Sequence, residues 1–252
     1  MSNNIKILLL DIETAPMLGF SWDIWKEQGS MDFIIRDWYM LCWCAKWLDQ
    51  KEMFTCALPD FVKEYVANPE DDKKIVQHLH ELLNQADVVV TQNGVRFDLP
   101  KINAKFIQYK LPPVKPFKKV DTCLTAKKVF GFSSNKLNDI GKLLGLGEKI
   151  DTGGFKLWKQ CMNHDTKAWK KMVTYCANDV ELLEKVYKRM LPFMSGHPNQ
   201  NLYNQTVKFC PKCGSKKLRK KGFDFLVNGK RQQYQCMSCG GWCREGKVMQ
   251  NA

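Results

Sequence analysis

The sequence has no internal repeat, no apolar run long enough to cross a bilayer and no amphipathic basic helix. These absences argue against a solenoid, a helical membrane span and an interfacial membrane anchor, respectively. The apolar stretch near the N-terminus is too short for a secretory leader, lacks a small-residue cleavage site and ends in acids, so no leader is predicted. Acidic residues are few, with 26 Asp and Glu against 39 Lys and Arg and a formal net charge of +13. The imbalance is local: residues 207–247 hold 11 Lys and Arg against Asp224 and Glu245, so an excess of 9 lies there. Such a segment favours a polyanionic partner, nucleic acid before membrane.

A chain of 252 residues has room for one sizeable domain plus an accessory module, and 44% hydrophobic content supports a packed core. Of the 11 cysteines, four form two Cys-x-x-Cys pairs late in the chain, while Cys42, Cys44, Cys56, Cys123, Cys161 and Cys176 are scattered through apolar surroundings. That usage predicts a reducing, cytoplasmic compartment with metal-bound thiolates rather than a disulfide framework.

The unbroken run Ile7-Leu8-Leu9-Leu10 reads as a strand buried on both faces, stopping at Asp11 and Glu13. In a strand these two acids share a face, because side chains repeat every two residues. Like charges held there repel and lose hydration unless a cation or proton compensates. An Asp-x-Glu after an apolar strand also arises by chance, so the pair needs company. Residues 38–47 predict a second long strand and 51–56 a third, giving an antiparallel meander with 51–56 at its edge. Residues 71–85 put Ile75, Leu79, Leu82 and Leu83 on one helical stripe. Val88-Val89-Val90 reads as a buried strand ending in the turn 91–94, after which Asp98 and Pro100 open a helix, Asp98 placed like an N-cap. A last strand is expected at 120–122, and a helix capped by Ser134 running to Gly145. Residues 148–154 read as a mobile loop and 165–191 as a long helix, on which Tyr175 and Asp179 lie four apart and share a face.

Asp11-Ile12-Glu13-Thr14, Asn93-Gly94-x-x-Phe97-Asp98 and Tyr175-Cys176-Ala177-Asn178-Asp179-Val180, in that order, resemble the three motifs of the DEDD superfamily of 3'-to-5' exonucleases. The resemblance spans residues 5–192 and extends to the exonuclease domains of family B DNA polymerases and stand-alone phage and bacterial enzymes. It implies an α/β, ribonuclease-H-like fold, a mixed sheet flanked by helices. One branch has His five residues before the last Asp and the other Tyr four before it; here Thr174 and Tyr175 stand there, so the Tyr branch is matched. His78, His80, His164 and His197 do not fit the catalytic place and read as surface residues. The resemblance implies two Mg²⁺ or Mn²⁺ ions held by Asp11, Glu13, Asp98 and Asp179, with Tyr175 orienting the attacking water. Phe97 and the apolar residues around Leu99 would wedge or stack the terminal nucleotide, with Asn93 beside them, although Phe97 serves a core equally well. If the chain comes from a phage, the compartment is the host cytoplasm.

Cys210-Pro-Lys-Cys213-Gly214 and Cys236-Met-Ser-Cys239-Gly240 are matching knuckles whose spacing suits a structural Cys₄ zinc site. Between them, 223–227 and 230–235 predict a hairpin on a type I′ turn at Asn228-Gly229. This predicts a small β zinc ribbon, resembling those of transposases and transcription factors. Lys216, Lys217, Arg219, Lys220 and Lys221 crowd its first arm, beside Phe223, Phe225, Tyr234 and Trp242. Basic groups with interleaved rings suit single-stranded nucleic acid, and a module this small is expected to bury at least two of the four rings. Cys243 reads as a spare.

The sequence thus predicts an exonuclease domain at 1–194, a polar linker at 195–206 and a zinc ribbon at 207–247. The expected substrate is single-stranded or frayed nucleic acid with a 3' end, DNA favoured through the resemblance alone. An RNA-trimming enzyme and a non-catalytic nucleic-acid adaptor are the alternatives. No segment is long enough for a polymerase, so a proofreading role would require a replication or repair protein as partner.

Overall fold

The structure, a computed structural model, describes residues 5–22, 31–200 and 209–245. Parts of the expected linker and ribbon boundaries lie outside these residues. The strands are β1 (Ile7–Thr14), β2 (Leu18–Gly19), β3 (Ile34–Arg36), β4 (Met40–Trp47), β5 (Met53–Ala57), β6 (Val88–Thr91), β7 (Lys118–Asp121), β8 (Leu218–Leu226), β9 (Gly229–Cys236) and β10 (Trp242–Arg244). The α-helices are α1 (Val62–Ala67), α2 (Lys73–Leu83), α3 (Asp98–Gln108), α4 (Thr122–Val129), α5 (Leu137–Leu143), α6 (Lys156–Met162) and α7 (Thr166–Met190).

Five strands form a mixed sheet in the order β5-β4-β1-β6-β7. β1 is antiparallel to β4 and parallel to β6, β4 is antiparallel to β5, and β6 is parallel to β7. The expected meander is present with β5 at its edge, and the parallel half follows from helical crossovers, which antiparallel hairpins do not need. Leu8, Leu9 and Leu10 are completely buried, as a strand covered on both faces demands. The helix α2 turns Ile75, Val76, Leu79, Leu82 and Leu83 inward, and α7 turns Trp169, Met172, Cys176, Val180, Leu183 and Val186 inward.

Several local expectations need correction. The second strand starts at Met40, leaving Trp38 outside it. Ser134 does not cap α5: Lys136 stands at the N-cap without a side-chain bond, and the Ser134 hydroxyl donates to Asp139 at 2.5 Å. His78 and His164 are exposed, but His80 and His197 are half-buried, their ring nitrogens bonded to the Pro112 carbonyl and the Tyr187 hydroxyl at 2.8 and 2.7 Å. The start of the expected linker is therefore tied to α7.

The C-terminal strands form a separate sheet, β10-β9-β8, with β9 central. The Asn228-Gly229 turn is not found. Leu226 pairs with Gly229, so Val227 and Asn228 make the turn, and neither has the positive φ that type I′ requires. The pairing also shifts register by one residue between Lys220 and Phe223, where Gly222 adopts φ 73°.

Candidate active site

Asp11 and Glu13 leave β1 on the face that meets α7, opposite Cys44 and Cys42 of β4. From α7 come Tyr175 and Asp179, and Asp179 is 1% exposed. Carboxylate oxygens of Asp11, Glu13 and Asp179 lie within 4.8 Å of one another. Beneath them the Cys176 thiol sits 3.6 Å from the Asp11 carbonyl oxygen and 3.7 Å from its Oδ2.

Asp98 arrives differently. The parallel pairing of β1 with β6 runs from Ile7 to Leu9 and then stops. Beyond that point the Ile12 amide, on the same edge, donates instead to Asp98 Oδ1 at 3.2 Å. Asp98 therefore closes the strand edge rather than capping α3, whose N-cap position falls at Phe97 with no side-chain bond. The turn before it is tightly specified. A Cβ on Gly94 would lie 2.4 Å from Thr91 Oγ1, so only glycine fits. Asn93 takes a left-handed φ of 62°, and Asp121 locks it by accepting the amides of Asn93 and Val95 at 3.0 and 3.1 Å. The same Asp121 caps α4 by accepting the amides of Cys123 and Leu124, so the helix starts at Thr122, inside the strand expected at 120–122.

Sequence reasoning missed Lys149. Its ammonium lies 2.5 Å from Asp179 Oδ2 and 3.1 Å from the Tyr175 hydroxyl. The loop 148–154 is irregular, but its start is held: the Lys149 amide donates to Asn138 Oδ1 at 2.9 Å and Asn178 Nδ2 to the Glu148 carbonyl at 3.1 Å. Its one sequence signal is a lysine preceding a Gly-Gly pair between the second and third motifs.

Burial, then Glu13, Asp98 and Asp179, push the Asp11 carboxyl well above the usual carboxylate range. Burial and Asp179 push Glu13 up to about 8. Burial takes Asp98 to about 6 against the opposing Ile12 amide. Burial also raises Asp179, against the pull of Lys149. Burial works against the charge of Lys149, but Asp179 outweighs it and the ammonium is held charged. Burial and Asp179 raise Tyr175, which therefore keeps its proton at neutral pH. The crowded acids are in deficit of positive charge, and Asp179 Oδ1 is buried without a partner. Hard oxygen donors with one orphaned atom fit a divalent cation.

Two grooves flank the acids. One, of about 540 Å³, is lined by Thr14, Trp38, Phe97, Lys101, Phe155 and Trp158. Phe97 is 43% exposed there, not in the core, and the Lys101 ammonium stands 3.7 Å from the centre of the Trp38 ring. The other, of about 660 Å³, is polar and basic, with Gln92, Asn93, Lys127, Asn135, Lys136 and Lys149 on its walls. Asn93 and Phe97 thus line different grooves.

The four knuckle cysteines also converge. Their sulfurs lie within 4.8 Å of one another, with Cys210 to Cys239 at 3.8 Å and Cys213 to Cys236 at 3.6 Å. Tetrahedral zinc with Zn–S of about 2.3 Å separates sulfurs by about 3.8 Å, so the set fits that ion. Gly214 and Gly240 adopt φ of 69° and 79°, and the Ser238 and Gly241 amides point at Cys236 and Cys239 sulfur, each at 3.4 Å. Lys216, Lys217, Arg219, Lys220 and Lys221 are all exposed. They are not brought to the acids: the knuckles border the amino end of β1, beside Ile5 and Ile7, whereas Asp11 and Glu13 lie toward its carboxyl end. Only Tyr234 of the four rings is buried; Phe223, Phe225 and Trp242 are 38, 78 and 46% exposed. The expectation of two buried rings fails because three short strands cannot enclose them.

A family profile described as the RNase_H superfamily matches residues 45–191, more than half of the chain, and the chain belongs to that superfamily. The match contains Asp98, Tyr175 and Asp179 but begins after Asp11 and Glu13, which β1 brings in by pairing with β4. Among solved structures, the family B DNA polymerase from the hyperthermophilic archaeon Pyrobaculum calidifontis is similar in fold, with a TM-score of 0.54 at 14% identity. The likeness covers 89% of this chain and 31% of the polymerase, so the chain spans about a third of that protein's length. No curated protein sequence matches. Superfamily membership supports a nuclease in general terms. No helix among the described residues is long and apolar enough to cross a membrane.

Proposed function

We propose that the chain is a 3'-to-5' exonuclease that hydrolyses terminal phosphodiester bonds of single-stranded or frayed DNA with two divalent ions. The observation that carries this reading is the convergence of Asp11, Glu13 and Asp179 from β1 and α7 around an orphaned carboxylate oxygen, with Asp98 closing the same strand. Asp11 would serve both ions, Glu13 and Asp179 one and Asp98 the other, with Mg²⁺ or Mn²⁺ as the ions. Bound there, such ions supply a nucleophilic water near neutral pH and positive charge beside the leaving oxygen.

The chain's own groups do the rest. Tyr175 keeps its proton and so serves to orient water rather than to abstract a proton, its hydroxyl placed by Lys149 at 3.1 Å. Lys149 supplies a fixed positive charge where negative charge collects in the transition state. Trp38, Phe97, Phe155 and Trp158 offer ring faces to the terminal bases, which pay little for stacking because every base has a π face. In this reading residues 1–194 are catalytic and the cysteine sheet of 207–247, reached through 195–206, is a zinc ribbon that binds nucleic acid.

Digestion of 30-nucleotide DNA and RNA labelled at either end, with Mg²⁺, Mn²⁺ or no metal, tests it. A ladder shortening from the 3' end of DNA, dependent on metal, is expected. Internal cuts or digestion from the 5' end would refute the direction, and preference for RNA would replace the substrate.

A further inference from the structure

β9 is the central strand of the ribbon sheet, so its alternate residues sort the sheet into two unlike faces. On one, Arg219 and Trp242 both pair with Gln235, Arg244 pairs with Gln233, and Asp224 pairs with Arg231. Lys221 joins this face, its ammonium donating to Gln235 Oε1 at 3.1 Å and standing 5.7 Å from the centre of the Trp242 ring. Asp224, the one acid there among the described residues, is matched by Arg244 at 2.7 Å. A half-exposed indole is thus framed by Arg219, Lys221 and Gln235, with Gln233, Arg244 and Arg231 further along the same face and a net positive charge on it. The opposite face carries Phe223, Phe225 and Tyr234 with Lys220 and Lys230, the Lys230 ammonium 4.9 Å from the centre of the Phe223 ring.

We propose that the Trp242 face is a second binding surface for single-stranded DNA, distinct from the catalytic cleft and acting on the same strand. Arg219, Lys221, Arg231 and Arg244 stand on this face against Asp224 alone, and that excess of positive charge favours a polyanionic strand. A ring set among cations is what a strand recognises: the indole stacks a base, the guanidinium and ammonium groups neutralise phosphates, and the glutamines offer donors to either.

The ribbon's anchor fixes how far this face stands from the chemistry. Lys212 Nζ donates to the Pro192 carbonyl just beyond α7, and Gly241 lies so close that a Cβ would meet Pro192 Cα at 3.3 Å. From Asp179 to Pro192 the chain runs along α7 and its end for roughly 20 Å at about 1.5 Å per residue. A stacked strand at about 3.4 Å per nucleotide needs roughly six nucleotides to cover that distance. Strands shorter than this engage the cleft alone.

The inference rests on the exonuclease reading for the identity of the strand, and the test keeps the two apart. Full-length zinc-loaded Asp11→Ala protein, unable to cleave, is titrated with fluorescein-labelled dT30 and dT4 across a range of KCl, with and without Trp242→Ala or the triple change Arg219→Gln, Lys221→Gln, Arg231→Gln. Trp242→Ala is expected to weaken dT30 roughly 5- to 100-fold, as loss of one stacked base does. The triple variant should lower the log-log salt slope for dT30 by about 2, some 0.7 for each phosphate contact. Neither change should alter dT4 binding, and each variant should retain one zinc per chain. Unchanged dT30 affinity and slope in zinc-containing variants, or equal losses on dT4, would overturn the proposal. If wild-type protein digests nothing while Trp242→Ala still weakens dT30, the exonuclease reading fails and this one stands; active digestion with no effect of Trp242 is the reverse.

Discussion

The Lys149 ammonium lies 2.5 Å from Asp179 Oδ2 and 3.1 Å from the Tyr175 hydroxyl, although Lys149 and Asp179 are 30 residues apart. One cation therefore neutralises a carboxylate of the proposed metal site and places the phenol proposed to orient water. Removing it as Lys149→Met should act in two opposite directions. The maximal rate should fall on the order of 10²-fold, the contribution of a positioned group. The Mg²⁺ concentration for half-maximal rate should fall as well, because the ammonium no longer competes with the ion for Asp179. A Mg²⁺ titration of initial rates reads both quantities; an unchanged rate would make Lys149 a structural counterion only.

Asp11→Ala and Asp179→Ala each remove a proposed metal ligand and relieve carboxylate repulsion. Activity should be lost while the metal-free melting temperature stays level or rises, more clearly for Asp11, since Asp179→Ala also leaves Lys149 without its partner. Differential scanning calorimetry without metal, beside a gel assay with Mg²⁺, checks both halves. Retention of more than a few per cent activity by both variants would remove these acids from the mechanism.

Burial and Asp179 hold Glu13 at about 8 in the folded protein, above its ordinary 4.5. Between those values the native state binds a proton that the unfolded state has released, so this stabilisation is present at low pH and is lost as pH rises through about 8. Metal-free wild type should therefore lose melting temperature relative to Glu13→Gln across that interval, and saturating Mg²⁺ should abolish the difference. The same proton must leave before the ion binds, so apparent Mg²⁺ affinity should climb with pH over the same range. Parallel pH profiles for the two proteins without metal would contradict the assignment.

The Cys₄ cluster holds together a sheet with one buried ring, so the zinc proposed there would supply most of the order in the C-terminal module. Cys236→Ser should release the ribbon and lower the melting temperature, because Cys213 packs against the main core. Cleavage of a four-nucleotide strand at saturation should nonetheless persist. Loss of that activity together with the zinc would mean that the ribbon helps build the catalytic cleft.

What could be read from the sequence was set by local periodicity. Asp11 and Glu13 were visible because Ile7–Leu10 announces a covered strand, and Tyr175 with Asp179 because a helix puts residues four apart on one face. The presence of Asp98 was readable from its neighbours Asn93 and Gly94, but its task was not. The cap expected from its position loses to the Ile12 amide, a donor 86 residues away that β6 leaves free by ending early. Lys149 gives no periodic signal because its chain is irregular, and its target is set entirely by how α5 and α7 pack. In the ribbon, the turn falls at Val227-Asn228 rather than Asn228-Gly229, because the strand pairing set from the knuckles puts Leu226 opposite Gly229.

β1 is bonded along both edges, to β4 over most of its length and to β6 over Ile7 to Leu9, and Leu8, Leu9 and Leu10 are sealed from solvent. Amide hydrogens in such a strand exchange with water only when the whole domain opens. Lys149 belongs to chain that forms neither helix nor strand between Leu143 and Lys156, where opening is local and cheap. Warming should therefore part the ammonium from Asp179 well before it parts the acids from one another, leaving a crowded set of carboxylates whose protection then depends on the divalent ion. The acids inherit the lifetime of the core, and the lysine that of a loop.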